Sequence, residues 1–357
     1  MRACRLSNIR KLMSENDIEH LLIYSPENQF YYTGFSGGDG AVIINDRGIY
    51  LFTDFRYKEQ AAEEAADAAV IISKGTLESS IAAFIDDTGI GEIYFEPVLP
   101  YSVYEKINKH LKKSRMKPAD EIADKPREIK EPEEARLIQK ACEIAQEAFV
   151  QTLGILRPGM TENEAAAEIE FNMRKAGAQG PAFKTTVASG KRSSLPHGTA
   201  SDKIINSGDI ITFDFGAVYK NYCSDITRTV FIGSCTEKQR EIYGIVLCAQ
   251  EKALEQMAGG MACYEADRIS RQIIQKRGYG SNFGHGLGHG VGLGIHENPR
   301  LSPLADKSAV LKDGMTVTVE PGIYIENEFG VRIEDTIIIH SGKPQVFTSI
   351  SKEIIIL

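Results

Sequence analysis

The chain has 357 residues, 42% of them hydrophobic, which is enough for a sizeable core and for two domains. Its formal net charge of −8, with no long basic run, argues against nucleic acid as the main partner. The six cysteines form no C-x-x-C pair and no dense framework, so neither a zinc ribbon nor a secreted disulfide scaffold is indicated, and reduced thiols fit best. No segment approaches the roughly 18 apolar residues of a membrane span, and no apolar stretch of signal-peptide length follows Met1. The expectation is a cytoplasmic protein without a membrane partner.

In chain order, residues 1–122 alternate short β-rich runs with polar amphipathic stretches such as 55–67 and 101–113. The runs are Leu21–Tyr24, Ala41–Ile44, Ile49–Phe52, Ala69–Ile72 and Glu92–Phe95, and the pattern is that of an α/β domain. The turn Asn45-Asp46-Arg47-Gly48 makes the second and third runs an antiparallel hairpin, so the sheet is expected to be mixed. A charged, proline-bearing linker at 123–130 separates this domain from a second one at 131–357. Pro132 followed by Glu133 and Glu134 reads as the first turn of a long helix. The second domain reads as helix 133–154, helix 161–177 and a strand hairpin, then helix 236–258, helix 263–277 and another hairpin. Each half is α-α-β-β, which predicts an antiparallel sheet backed by two helix pairs.

The two hairpins carry the chemistry. The first runs Ile210 to Gly216 and returns through Ser224-Asp225-Ile226-Thr227-Arg228; the second runs Thr316 to Gly322 and returns through Gly330 to Glu334-Asp335. The spacing of Gly208, Asp214 and Gly216 recurs in Gly314, Glu320 and Gly322, as expected of a duplicated half-domain. If the first hairpin turns about Tyr219-Lys220, residue 214 pairs with 225 and 212 with 227, placing Thr212, Asp214, Asp225 and Thr227 on one face. Opposed like charges are destabilising. Two such halves brought together give four carboxylates, a cluster that titrates away or binds metal.

Between the hairpins, the run from Phe283 to Glu297 sets His285, His289 and His296 among glycines, which permit close backbone approach to a ligand. No G-x-G-x-x-G or G-x-x-x-x-G-K pattern occurs there, so a phosphate loop is not indicated. Four carboxylates and an imidazole form a hard, oxygen-rich donor set suited to manganese, iron or cobalt rather than to structural zinc. Two such ions can lower the pKa of a water and polarise a carbonyl, which describes a hydrolase.

Five segments carry a resemblance: Phe213-Asp214-Phe215-Gly216, Ser224-Asp225-Ile226-Thr227-Arg228-Thr229, Gly288-His289-Gly290-Val291-Gly292, Glu320-Pro321-Gly322-Ile323-Tyr324 and Val331-Arg332-Ile333-Glu334-Asp335. Together they resemble the metal-ligand motifs of the pita-bread metallopeptidases, the superfamily of methionine aminopeptidase, Xaa-Pro aminopeptidase, prolidase and creatinase. Residues 1–122 resemble the N-terminal domain of the creatinase/prolidase branch. The resemblance implies an α/β N-terminal domain followed by an α+β pita-bread domain of pseudo-twofold duplicated halves.

It further implies that Asp214 binds one metal, that Asp225 and Glu334 bridge both, and that His289 with Glu320 holds the other. Two divalent ions are expected, manganese first, with cobalt, iron and zinc as alternatives. By the same likeness Glu320 handles the proton of the attacking hydroxide, while His197 and His296 contact the substrate carbonyl and the tetrahedral intermediate. His285 and Tyr324 become walls of the pocket. Arg332, on the strand face of Glu334, either orients that ligand or meets a substrate carboxylate. Gly294 departs from the pattern, since relatives often carry an acidic residue there.

The N-terminal domain directs the expected reaction to a peptide bond preceding proline, in an aminopeptidase or a dipeptidase, by a homodimer acting on peptides with proline in second position. Methionine aminopeptidase activity, creatinase-like amidine hydrolysis and a non-catalytic binding protein of the same fold are the alternatives, and the intact ligand set opposes the last two.

Overall fold

The computed structural model describes residues 2–357. The chain divides into two compact units, one ending at Arg127 and the other running from Glu128 to Leu357.

The first unit is built on a six-stranded sheet in the order Ala69–Ile72, Ile49–Thr53, Ala41–Ile44, Leu21–Ile23, Glu92–Phe95, Arg115–Pro118. The hairpin read from Asn45-Asp46-Arg47-Gly48 forms, with the Asn45 Oδ1 accepting from the backbone N–H groups of Arg47 and Gly48 at 2.9 Å each. Its neighbours pair in both senses, so the sheet is mixed. Leu22, Ile43, Phe52, Ile81, Ile93 and Ile107 lie at the centre of the core. The edge strand Arg115–Pro118 went unread in the sequence because only Met116 of its four residues is buried. The helices Arg2–Glu15 and Pro26–Thr33 went unread as well.

The four long helices of the second unit lie at Pro132–Leu153, Glu162–Lys175, Glu237–Gln256 and Cys263–Lys276, within a few residues of the ends read from sequence. Three of them open with reciprocal capping boxes, Glu131/Glu134, Thr161/Glu164 and Thr236/Gln239, which satisfy N–H groups that a helix start leaves unpaired. The helices pack as two pairs. Under the first hairpin, Phe149 of the first helix stacks on Phe215 with ring centroids 4.9 Å apart and meets Phe213 edge-on at 5.5 Å. Because successive strand residues point to opposite faces, Phe213 and Phe215 in the core put Asp214 on the other side. Val317 and Val319 enter the core and turn Thr318 and Glu320 the same way.

The hairpin register departs from the expectation. The turn is Lys220-Asn221, with φ of 47° and 70°, the left-handed pair that a two-residue turn between twisted strands requires. Moving the turn by one residue moves the partner by two: Asp214 faces Thr227, and Thr212 faces Thr229. The shift is even, so Asp214 and Thr227 keep a common face, but Asp214 and Asp225 are diagonal neighbours rather than directly opposed. The antiparallel pairing is also divided into short ladders instead of one sheet. Ile210–Phe215 with Ile226–Phe231 is distinct from Ala217–Tyr219 with Tyr222–Cys223, and Thr316–Val319 with Asp335–His340 is distinct from Gly322–Ile325 with Phe329–Arg332.

The breaks fall at Gly216 and at Glu320-Pro321, where a proline has no N–H to donate. Across the middle, the two hairpins lie side by side: Glu334 N–H donates to the Thr227 carbonyl at 3.1 Å, and Thr229 Oγ1 donates to the Arg332 carbonyl at 2.9 Å. A Cβ on Gly216 would stand 1.9 Å from the Ser224 carbonyl oxygen, a backbone atom that cannot swing aside. Gly216→Ala is therefore expected to destabilise the second unit by about 1–3 kcal/mol. Calorimetry is expected to show its unfolding midpoint lowered by several degrees, at about 2–4 °C per kcal/mol.

Candidate metal centre and active site

Of the ten residues selected from sequence, nine line one cavity of about 450 Å³ in the second unit: His197, Asp214, Asp225, His285, His289, His296, Glu320, Arg332 and Glu334. Tyr324 stands behind the wall, its hydroxyl bonded to His285 and Arg332. Asp225, His289 and Glu334 each offer a donor atom within 4.8 Å of the others, and all three are buried.

The elements fix these groups one by one. His289 sits on the short strand Gly288–Gly290, squeezed between Glu297–Leu301 and Thr316–Val319. A Cβ on Gly288 would meet the Thr318 carbonyl oxygen at 2.1 Å, so glycine here admits a neighbouring strand, not a ligand as the sequence suggested. The His289 Nδ1–H donates to the Gly290 carbonyl at 3.0 Å. That tautomer leaves the Nε2 lone pair facing Asp225 Oδ2 at 3.6 Å and Glu320 Oε1 at 3.4 Å. Burial pushes the imidazole down to about 3, keeping it neutral and able to coordinate. Thr318 Oγ1 accepts from the His289 N–H and donates to Glu320 Oε1 at 3.2 Å.

Glu334 Oε2 accepts from Thr227 Oγ1 at 2.7 Å, and the Asp225 backbone is tied on both sides to Thr336 Oγ1. Arg332 donates to Asp214 Oδ2 at 2.7 Å, to Thr227 Oγ1 at 3.0 Å, to the Pro196 carbonyl at 3.1 Å and to Tyr324 Oη at 2.8 Å. Of the two roles considered for it, orientation has the direct contacts, although the carboxylate it holds is Asp214 and not Glu334. The Tyr324 hydroxyl donates to His285 Nε2 at 3.0 Å, while His285 Nδ1–H donates to the Gly286 carbonyl at 2.8 Å. Burial lowers His285 to about 4 and raises Tyr324 to about 12, so both are neutral donors or acceptors at physiological pH.

His197 is exposed at the cavity mouth, and His296 packs its ring edge-on to His289 at 4.4 Å. At Gly294, where an acidic residue was expected, Glu297 takes up the backbone N–H at 2.8 Å and pairs with the buried Lys130 at 3.2 Å.

Three features went unread. Arg300 and Lys184 add two cations to the cavity wall. Arg228, almost fully buried, donates to the carbonyls of Thr227 and Glu334 and pairs with Asp335 at 2.7 Å, locking the backbone beside Glu334. Arg228 stood in one of the motifs, but only the approach of the second hairpin gives it a role.

Residues 136–341 match the model of metallopeptidase family M24, and residues 5–129 that of the creatinase/prolidase N-terminal domain. The chain belongs to metallopeptidase family M24. A similar curated M24 relative is a Pyrococcus furiosus protein named Xaa-Pro dipeptidase, 42% identical over 98% of this chain and 99% of its own length. Among solved structures, a Xaa-Pro dipeptidase from Bacillus anthracis superposes with a TM-score of 0.96 at 41% identity over the whole of both chains. An X-Pro aminopeptidase from Thermotoga maritima does so at 0.90 and 37%, over 99% of each chain.

M24 peptidases use divalent metals, and the donors of this chain fit such ions. Asp214 Oδ1 is buried without a hydrogen-bond partner among the described residues, the His289 lone pair points at two carboxylates, and hard oxygens dominate the set. Without metal, burial and then the neighbouring carboxylates raise Asp225 and Glu334 well above the carboxylate range. Burial likewise pushes Glu320 up to about 8. Each shift favours the protonated form in the metal-free protein, and ligation requires the ionised one. Metal uptake at pH 7 is therefore expected to release protons, and affinity to rise as pH rises through neutrality. Titration calorimetry in buffers of different ionisation enthalpy measures both; uptake without proton release would contradict the burial account.

Proposed function

We propose that this chain is a dinuclear-metal exopeptidase that cleaves the bond between an N-terminal residue and proline, with dipeptides as its preferred substrates. The observation that carries the reading is the joining of two cations, Arg300 and Lys184, to the carboxylate and imidazole donors in a single cavity of about 450 Å³. That volume suits a dipeptide. The cations give its free carboxylate a partner that the interior of a longer chain does not need. The names of the similar proteins support the same class of substrate.

In this reading Asp214, Asp225, His289, Glu320 and Glu334 would hold the two ions. When bound, the metals supply a water acidic enough to give hydroxide at neutral pH and polarise the scissile carbonyl. Manganese suits the oxygen-rich donors, with cobalt, iron and zinc as competitors. The proline nitrogen carries no hydrogen in the peptide and leaves as a secondary amine, so a proton has to be delivered to it. Glu320 takes that proton from the attacking water and passes it to the nitrogen. His296, whose burial favours the neutral ring, and His197 at the mouth donate N–H groups to the carbonyl oxygen as charge develops on it.

A homodimer in a reducing cytoplasm completes the reading. The six cysteines are free thiols, and among the described residues no helix is long and apolar enough to cross a membrane.

Asp225→Asn keeps the volume of a residue that would hold metal and removes its charge. The variant is expected to fold and to lose both turnover and metal content, read by elemental analysis beside an Ala-Pro assay; near-parental activity would refute the site. Arg300→Ala is expected to lower kcat/KM for Ala-Pro roughly 10- to 100-fold, about 1.4–2.7 kcal/mol. It is expected to leave the rate on Ala-Pro amide, which lacks the carboxylate, nearly unchanged. Equal losses on both substrates would remove the basis for a dipeptide preference.

A further inference from the structure

His197 lies in the connection that leaves the strand Thr186–Ser189, passes the short 3₁₀ turn Gly190–Ser194, touches the strand again through a single bridge at Thr199 and reaches Ser201. Local turns fold it, with the Leu195 N–H donating to the Arg192 carbonyl at 2.9 Å and the Gly198 N–H to the Leu195 carbonyl at 3.0 Å, but these bonds do not tie its two ends together. What closes it is Glu162, the first residue of the helix Glu162–Lys175, whose side chain is completely buried. One carboxylate oxygen accepts from the Ser189 N–H at 2.7 Å and from Ser189 Oγ at 2.8 Å. The other accepts from Arg192 Nε at 2.9 Å, the Ser201 N–H at 3.2 Å and Ser201 Oγ at 2.6 Å. A single carboxylate thereby joins both ends of the segment.

Further contacts tighten the same loop. Arg192 Nη2 donates to the Thr199 carbonyl, Lys203 Nζ donates to Ser189 Oγ at 2.8 Å, and Arg332 holds the Pro196 carbonyl beside His197. The second half of the unit holds its own histidine segment in a comparable way. Buried Asp267 accepts from the Leu287 N–H at 3.0 Å and pairs with Arg271, whose guanidinium donates to the carbonyls of Phe283 and His285.

We infer that Glu162 is the positioning residue for His197, clamping the 189–201 segment so that the imidazole is presented to the substrate carbonyl. The inference rests on the reading of His197 given above. A buried carboxylate serving five donors has no neutral substitute, since an amide would turn an NH₂ group toward N–H and guanidinium donors. Misplacement of a reacting group by about 1 Å costs on the order of 100-fold in rate.

The experiment compares the parent, Glu162→Gln, His197→Ala and the double variant, each loaded with manganese. Three readouts are taken: kcat and KM on Ala-Pro, metal per chain, and hydrogen exchange along 189–201. Glu162→Gln is expected to speed exchange in this segment at least about tenfold and to lower kcat roughly 10- to 100-fold, with KM and metal content unchanged. In the His197→Ala background the same substitution is expected to cost less than about twofold, because the group it positions is gone. Unchanged exchange, or an equal loss in both backgrounds, overturns the inference. If Glu162→Gln does not fold, Ser201→Ala removes one donor and keeps the charge pair. It is expected to give a smaller loss with the same non-additivity, and an additive loss overturns the inference equally. A parent without peptidase activity would sink the functional reading, while the exchange comparison would still decide whether Glu162 is the clamp.

Discussion

Four carboxylates, Asp214, Asp225, Glu320 and Glu334, crowd into one cavity beside the buried Arg332 guanidinium, and the rest of the second unit is organised to hold them there. Burying a carboxylate without compensation costs several kcal/mol, and Arg332 bonds directly only to Asp214. In the absence of metal, burial and the neighbouring carboxylates favour the protonated forms of Asp225, Glu320 and Glu334. A pair of divalent cations relieves the crowded negative charge while keeping the oxygens ionised. The geometry that makes the metal-free site uncomfortable is thus what gives it affinity for metal and couples that affinity to pH.

The hairpins meet this constraint through strand alternation. The residues that bury Phe213 and Phe215 against Phe149 aim Asp214 into the cavity, and those that bury Val317 and Val319 aim Glu320. Core and site are two faces of the same ribbons, so the helix pairs beneath stabilise the ligand positions without touching them. Where the site needs the chain to bend, the ladders stop at Gly216 and at Glu320-Pro321.

A set of buried ion pairs works behind the cavity. Arg228 with Asp335 secures the carbonyls of Thr227 and Glu334, Glu162 with Arg192 closes the His197 segment, and Asp267 with Arg271 secures the segment of His285. Asp335 illustrates the balance: burial works against its ionisation, but Arg228 and Lys352 outweigh it and hold its carboxyl below the usual range. These pairs tie together loops that come from distant parts of the chain, a use of buried charge that favours a defined geometry over added stability.

Much of this was legible in the sequence. The first long helix announced itself through Pro132, Glu133 and Glu134, because helix starts are local events with local signatures, and all four long helices lie within a few residues of the ends read from sequence. Matched spacing around Asp214 and Glu320, with the glycine-flanked histidines, pointed to one oxygen-rich centre. The register was not fixed in the same way: Tyr219-Lys220 and Lys220-Asn221 are both acceptable turns on paper, and only the strands, with Asn221 at φ 70°, select the second. The short edge strand Arg115–Pro118 went unread because one buried residue makes no pattern. Arg228, Arg300 and Glu162 went unread for a further reason. Their roles belong to partners 27 to 107 residues away or to a cavity wall, and no local pattern encodes such a meeting. The sequence alone determined which donors exist and on which strand faces they stand, because side-chain alternation is a property of the single chain. Tertiary structure decided which carboxylate Arg332 holds, what clamps His197 and where the cations line the cavity, because those depend on how two hairpins and their loops pack against each other.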